Sequence, residues 1–472
     1  MFRYLEMPPD FPQRVHQALR TWHVRSVKDT LTDLLLAQQT QPNQAGLNPR
    51  LTSNQILLDG LECLKQINLE GTDLLQRRFL DQETALELAH RYNLSEDIIF
   101  QRQRAAIGQL AEIVWQQEQD LRQKRARQIE ARLEPLTYSR LFGIADKLAE
   151  VQAQLETTSA PWLVAIEGLG GIGKTALADA LVRDLALTGS FQDIGWVSAR
   201  QLDFLPATGL QPTDQPALEI ETLTHSLLNQ FGADLPPTAS APAKLAALKE
   251  CLKAAPYLIV IDNLETALDY QTLLPTLYQL ANPSRFLLTS RHSLRAYPEV
   301  YCCPLPELSQ ADTMALLRHE AQVRGIPALA NAAQAQLDSI YRVVGGNPLA
   351  LKLVVGQIAV LPLPQVLDNL KQAQGKKVDE LYTYIYWQVW HRLEPTAQHV
   401  LLAMPLAQNG DLAHLQAVTQ LDPGQIFDAL EQLTTLSLVE VGGDDLLDRH
   451  YRIHRLTETF LLTEVTSWPR AN

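Results

Sequence analysis

Residues 164–177 read VAIEGLGGIGKTAL, and Gly168 to Thr175 within them satisfy the pattern GxxxxGK[ST]. A strand-like apolar run, WLVAIEG, leads into the pattern and a helical one leads out. In that context the pattern forms a phosphate-binding loop. The residue types follow from the chemistry. Gly168, Gly170, Gly171 and Gly173 let the backbone turn its N–H groups inward around phosphate oxygens. Lys174 brings a point charge to the β- and γ-phosphates, and Thr175 offers its hydroxyl to Mg²⁺. The helix that opens there adds the positive end of its dipole. Ile172 and Ala176 complete the lining. The loop alone does not decide whether its nucleotide is a substrate, a fuel or a switch.

A second element stands some 90 residues on. YLIVIDNLE reads as a buried strand ending in Asp262, whose carboxylate can hold the metal through water. Asn263 follows, where many hydrolytic proteins place a second carboxylate. Glu265 could orient a water instead, so hydrolysis is expected to be slow.

The rest of the chain gives the loop its setting. From Trp162 short apolar runs (WLVAIEG, DIGWVSA, YLIVID, RFLLTS) alternate with helical segments, the pattern of a parallel sheet with helices on both faces. Polar, Pro-rich loops interrupt it near 203–216 and 233–242. Residues 1–134 read as almost entirely helical, with apolar spacing such as Leu31, Leu34, Leu35 and Leu86, Leu88, Ala89. The stretch QTQPNQAGLNP splits that region. Between Ser95 and Glu134 there is no proline, and the half reading QQEQDLRQKRARQIEARLE holds few apolar residues. It is expected to be a solvated helix, either linking two domains or lying on the surface. After Pro304 the chain turns helical again. It ends in helices, two strand-like runs (LSLVEVGG, HYRIHRL) and a final helix, the order of a winged helix.

The expected architecture is therefore an α/β P-loop NTPase core flanked by an all-α N-terminal domain, a helical domain and a C-terminal winged helix. The boundaries are 1–135, with a helix-turn-helix-like segment at about 72–112, then 140–303, 304–375 and 376–472. A length of 472 residues accommodates domains of about 150 residues each, large enough to bury a core unaided. The formal charge of −13 is a poor overall balance for coating nucleic acid or an anionic membrane. The four cysteines, Cys63, Cys251, Cys302 and Cys303, form no CxxC pair, which argues against a zinc site or a disulfide framework. Cys302 and Cys303 read as plain strand residues. The N-terminus has no signal-peptide pattern. LALKLVVGQIAVLPLP, interrupted by Lys352 and Gln357, is too short and polar to span a membrane. A cytoplasmic protein with no membrane partner is expected.

With these residues in place, the chain resembles the NB-ARC branch of the STAND nucleotide-switch ATPases over residues 140–465. LFGIADKL resembles the segment entering the domain, where adenine sits; Phe142 and Gly143 match, and Ile144 stands where the family usually has arginine. GWVSAR resembles the second strand. LLTSR is similar to the sensor motif, which implies that Arg291 faces the γ-phosphate. GGNPLAL is similar to the GxP motif, which implies that Pro348 packs near adenine and ribose. YRIHRL resembles the MHD-type motif, which implies that His454 touches the β-phosphate of bound ADP when the domains are shut.

The resemblance implies an ADP-off, ATP-on switch with weak ATPase activity and self-association on activation. It implies catalytic or sensing roles for Lys174, Asp262 and Arg291, and Mg²⁺ held by Thr175 and Asp262. Moving a population from 1:99 to 99:1 takes about 5.5 kcal/mol of differential binding. One charged hydrogen bond supplies roughly 1.5–3 kcal/mol. A second input, from a sensor or effector protein, is therefore expected. The family usually carries a repeat array after the winged helix as its sensor; no repeat of 20 to 50 residues occurs here, so sensing is expected from a further segment or another polypeptide. An AAA-type motor is the alternative, and it would show brisk turnover.

Upstream, LLQRRFLDQETALELAHRYNLSEDIIFQRQRAAIGQL resembles the helix-turn-helix of sigma-factor region four. Glu83 to Tyr92 would be the first helix and Asn93-Leu94-Ser95 the turn. Ser95 would cap a recognition helix from Glu96. Asp97, Ile98, Phe100 and Gln101 would face the major groove, where DNA readers prefer Arg, Lys, Asn and Gln. Arg102 and Arg104 could touch phosphate. From Gly71 to Glu134 ten Lys/Arg meet eleven Asp/Glu, without the basic excess of a DNA-binding face. DNA binding through residues 83–104 and a helical adaptor that recruits an effector or self-associates both remain open.

Overall fold

Four of the apolar runs are strands in the computed structural model, and they are apolar throughout because helices cover both faces of their sheet. The structure describes the chain except residues 1–5, 25–29, 40–48, 135, 137, 200–203, 206–208, 211–218, 234–235, 237, 265–269, 292, 373–385, 388, 392, 408–409, 437, 443–448, 454–456, 458–459, 462–464 and 466–472. His454, Glu265, much of the Pro-rich 203–216 loop and most of the final helix lie outside the described residues.

The elements run α1 (Phe11–Arg20), α2 (Leu35–Gln39), α3 (Pro49–Ile67), α4 (Leu69–Leu75), a π-helical turn (Gln76–Leu80), α5 (Ala85–Tyr92), α6 (Glu96–Glu130), α7 (Ala145–Glu156), β1 (Leu163–Glu167), α8 (Lys174–Leu185) and β2 (Ile194–Ser198). A small hairpin follows, β3 (Phe204–Leu205) with β4 (Gly209–Leu210), then α9 (Ile220–Gln230), α10 (Ala241–Ala254), β5 (Leu258–Asp262), α11 (Tyr270–Leu280), β6 (Arg285–Ser290) and β7 (Val300–Pro304). The chain continues through α12 (Gln310–Val323), α13 (Pro327–Ala330), α14 (Gln334–Val344), α15 (Pro348–Ile358), α16 (Leu363–Gln372), α17 (Pro395–Ala407), α18 (Leu412–Thr419), α19 (Pro423–Thr435), β8 (Val439–Gly442) and β9 (His450–Ile453). Two units emerge: Met1–Leu133 with Leu181–Gly195 and Ala255–Leu258, and the remainder of the chain.

The first unit is built on α6. Its buried side includes Ile99, Ala106, Ile107, Leu110, Ala111 and Val114, the three-and-four spacing of a core-facing helix. Phe11 of α1 meets Trp115 edge to face at 5.0 Å. The polar half of α6 corrects the expectation of a solvated helix. Glu118 is fully buried, and Arg122 and Arg125 are nearly so. Their burial is possible because each charge has partners. Glu118 accepts the backbone N–H groups of Leu35 and Leu36, both at 3.0 Å, and the Arg122 Nε at 2.7 Å. It thereby satisfies two of the orphan donors that open α2. Arg122 Nη1 donates to the Leu187 carbonyl at 2.7 Å, Arg125 donates to the Phe191 carbonyl, and Arg132 grips the Asp193 carboxylate at 2.8 and 3.0 Å.

The helix-turn-helix segment of this unit has a first helix that starts later than expected, at Ala85. Thr84 and Glu87 form a reciprocal capping box there. Asn93 ends α5 in the left-handed region, φ 56°. Ser95 occupies the cap position of α6, but its side chain makes no capping bond, a correction to its expected role. Asp97, Ile98, Phe100 and Gln101 are all exposed. Arg102 reaches Glu70 at 3.2 Å.

In the second unit the five-stranded parallel sheet has the order β2-β5-β6-β1-β7. β1 pairs in parallel with β6 (Leu163↔Phe286 to Glu167↔Ser290) and with β7 (Leu163↔Val300 to Glu167↔Pro304). Cys302 and Cys303 are residues of β7, and burial is the main reason their thiols are pushed up to about 12 and about 11. One buried cluster runs from Leu308 through α12–α19 to Leu461. Its last part, α17–α19 followed by the antiparallel pair β8–β9, has the element order of a winged helix. Among the described residues no helix is long and apolar enough to cross a membrane.

Candidate functional site

Ligands of open α/β sheets sit beyond the carboxyl ends of the strands. Here β5, β6 and β1 are neighbours, and their ends carry Asp262, Ser290 and Glu167. The loop after β1 runs Gly168 to Gly173, and α8 opens on Lys174. Expected cradle residues therefore fall on one continuous turn at the end of β1.

The first four carbonyls of that turn are all engaged. Lys174 Nζ donates to Gly168 O at 2.9 Å and to Leu169 O at 3.0 Å. Asn347 Nδ2 donates to Gly170 O at 2.9 Å, and the backbone N–H of Leu349 donates to Gly171 O at 3.3 Å. Four successive carbonyls of the turn, Gly168 to Gly171, thus each have a donor, and its glycines allow the turned backbone that receives phosphate. Gly171 must be glycine for two reasons: its φ is +72°, and a Cβ would lie 2.7 Å from Leu349 Cβ. Lys174 is nearly buried and folded back on its own loop, within reach of the space a phosphate would fill.

Asp262 is fully buried. Its carboxylate accepts the Thr175 hydroxyl at 2.9 Å and the Thr289 hydroxyl at 2.5 Å. Thr289 Oγ1 in turn accepts the Asn263 backbone N–H at 2.9 Å. Thr175 and Asp262 are 87 residues apart in sequence, and the structure brings them together. A hydroxyl beside a carboxylate is an all-oxygen pair, which suits Mg²⁺ completed by water and phosphate. Among the described residues no group of three or more His, Cys, Asp or Glu side chains could hold a metal by itself. A cation here would depend on the nucleotide's oxygens.

The remaining candidates lie around this centre. Arg291 is exposed and follows directly on the last residue of β6, whose Ser290 carbonyl accepts the Gly168 N–H at 3.3 Å. Pro348 is the first residue of α15. The residue before it does the work that sequence reasoning missed. Asn347 is fully buried, caps α15 by accepting the N–H groups of Leu349 and Ala350 at 3.1 and 3.3 Å, and reaches the phosphate loop with its other end. Phe142 packs against the helical core, with the Arg140 guanidinium 5.0 Å above its ring and His319 5.5 Å away. Gly143 has φ +63°, and a Cβ there would meet the Asp312 carboxylate at 2.8 Å. His454 lies outside the described residues, so the structure places it nowhere.

Known proteins give this geometry its family. Residues 144–298 match the NB-ARC domain model. The chain is similar to "Regulatory protein AfsR" of Streptomyces griseus, 25% identical over 339 residues, covering 69% of this chain and 32% of the relative. It is similar in the same degree to the AfsR of Streptomyces coelicolor, 25% identical over 333 residues, covering 67% and 31%. The chain thus spans about a third of the length of these curated relatives. A STAND protein with a tetratricopeptide repeat sensor from Pyrococcus horikoshii aligns with a TM-score of 0.43 and 15% identity, covering 70% of this chain and 43% of that one. A Walker-type ATPase of Pyrococcus abyssi aligns with a TM-score of 0.36 and 12% identity, covering 70% and 99%. With the phosphate loop, the carboxylate of β5 and the matched segment all in register, the chain carries an NB-ARC P-loop NTPase domain in residues 144–298.

Proposed function

We propose that the protein is a nucleotide-gated signalling switch: ADP holds it off, Mg-ATP turns it on, and hydrolysis is slow. The observation that carries this reading is the tie between phosphate loop and helical region. Asn347 and Leu349, at the start of α15, bond the carbonyls of Gly170 and Gly171. A rearrangement of the cradle on binding is therefore felt by the helices that follow the sheet. A metabolic enzyme has no need of such a link.

Lys174 would leave its two carbonyls for the β- and γ-phosphates, and Thr175 and Asp262 would hold Mg²⁺. Arg291 would contact the γ-phosphate of the triphosphate state, and His454 would hold the diphosphate state. A ligand shifts such an equilibrium only by its differential affinity for the two states. Asn263 in place of a second carboxylate supports slow turnover, which favours a switch over an AAA-type motor. Self-association on activation completes the reading, together with a partner that supplies the further input.

A second reading assigns α5 and α6 to DNA. It is favoured by the capping box that opens α5, by the left-handed turn at Asn93 between the two helices, and by relatives that bear the name of regulatory proteins. It is opposed by Asp97, Ile98 and Phe100 on the exposed face of α6. Light scattering of the purified chain with ADP and with a non-hydrolysable ATP analogue tests the switch. A larger particle with the triphosphate alone supports it; the same monomer with both nucleotides refutes it.

A further inference from the structure

Glu167 is a carboxylate with 5% exposure at the end of β1, one residue before the phosphate loop. A buried carboxylate beside an anion site needs donors, and the Cys302 thiol of the neighbouring strand β7 is one of them. Its hydrogen bonds show what it holds. One carboxylate oxygen accepts the backbone N–H of Leu294 at 2.5 Å, and the other faces the Ser293 hydroxyl at 3.2 Å. Leu294 is itself fully buried. On the near side of the same turn, Ser290 stands opposite Glu167 in the β1–β6 register, and its carbonyl takes the Gly168 N–H at 3.3 Å. Arg291 is thus bracketed, with the residues before and after it tied to the pair Glu167–Gly168.

We infer that Glu167 is the positioning residue of the γ-phosphate sensor: it ties Ser293 and Leu294, which follow Arg291 in the chain, against the phosphate loop and so sets where the Arg291 guanidinium is delivered. This rests on the reading of Arg291 as that sensor. The geometry explains why a carboxylate is present. It offers two acceptor oxygens, one for each of the two anchors, and a charged acceptor makes the stronger bond. Glutamine keeps one acceptor oxygen, and its amide can donate to the Ser293 hydroxyl, so it should substitute in part. Alanine loses both anchors. Because the anchor sits on the residue that opens the phosphate loop, sensor and cradle share one rigid junction.

The test is calorimetric titration of the full chain with ADP and with a non-hydrolysable ATP analogue. It compares the wild type with Arg291→Ala, Glu167→Ala, Glu167→Gln and the double variant Glu167→Ala/Arg291→Ala. Arg291→Ala should cut the preference for triphosphate over diphosphate by about tenfold or more, the worth of one charged hydrogen bond. Glu167→Ala should remove most of the same preference while ADP affinity stays within about twofold. Glu167→Gln should restore part of it, and the double variant should fall no further than Arg291→Ala alone, since the two act through one contact. Equal losses for both nucleotides, or additive losses in the double variant, would overturn the inference. If Arg291→Ala leaves the preference intact, the sensor reading itself fails, and the positioning role falls with it. Should Glu167→Ala not fold, Ser293→Ala removes one of the two anchors and must shift the preference in the same direction.

Discussion

Asn347 and Gly170 are 177 residues apart in sequence, yet the amide of the first donates to the carbonyl of the second at 2.9 Å. The same side chain caps α15 with its oxygen. The two ends of one residue can be separated by substitution. Serine keeps a good helix cap but is too short to reach the loop. Asn347→Ser should therefore weaken nucleotide binding by about three- to tenfold, the worth of one hydrogen bond. Its melting temperature should stay close to that of the wild type. Fluorescence titration with a labelled nucleotide and a thermal melt check the two halves; unchanged affinity would leave Asn347 a cap and nothing more.

The Thr175–Asp262 pair makes a prediction about metal. With both oxygens in place, the affinity for ATP should rise with Mg²⁺ and fall with a chelator. Asp262→Asn keeps an acceptor for Thr175 and Thr289 but removes the charge. Its ATP affinity should no longer respond to Mg²⁺, while metal-free binding changes little. Titration with and without a chelator decides; a full Mg²⁺ effect in the variant would place the metal elsewhere.

The buried pair of α6 bears on stability, not on nucleotide. Glu118→Ala strands the Arg122 guanidinium and the N–H groups of Leu35 and Leu36. Breaking a buried ion pair on one side typically costs about 3–5 kcal/mol. The first unfolding transition in urea should move by that order, and the Leu35 and Leu36 amides should lose protection in hydrogen exchange. Protection at the wild-type level would mean that the carboxylate is not their acceptor in solution.

These three substitutions mark where sequence reading worked and where it stopped. The strands were legible because a strand covered on both faces is buried at every position, and LVAIE, LIVID and RFLLTS each carry an unbroken apolar run of three or more residues. The phosphate loop was legible because its residue types and spacing are both demanded by local backbone geometry. The turn at Asn93 was legible for the same reason. Glu118, Arg122 and Arg125 misled, since charge on a helix reads as a solvated face. Only the elements that pack against them, α2 and the segment 187–193, reveal the burial. The role of Asn347 was hidden by distance along the chain, although Asn before Pro at a helix start was a visible cap signal. Glu167 stood inside the quoted motif as an unremarked charge in an apolar run, and that oddity was the available clue.

The cysteines of β7 give a chemical check on the sheet. Burial, with carboxylates nearby, pushes Cys302 up to about 12 and Cys303 up to about 11. Only the thiolate alkylates quickly. At pH 8 both should therefore stay almost fully protonated and resist iodoacetamide in the folded chain, with labelling rising only above about pH 10. Mass spectrometry of the labelled peptides reads this directly; rapid modification of Cys303 at pH 8 would contradict the placement of β7.

The most direct measurement of the central claim is equilibrium binding of ADP and ATP, in Mg²⁺, to the wild type and to Lys174→Ala. The account predicts tight binding by the wild type. In the variant, which has lost the side chain that bonds the loop carbonyls and on this reading turns to the phosphates, affinity should fall by about 10- to 100-fold. Wild-type affinity in Lys174→Ala would contradict the account, because the nucleotide would then be held somewhere other than the loop that follows β1.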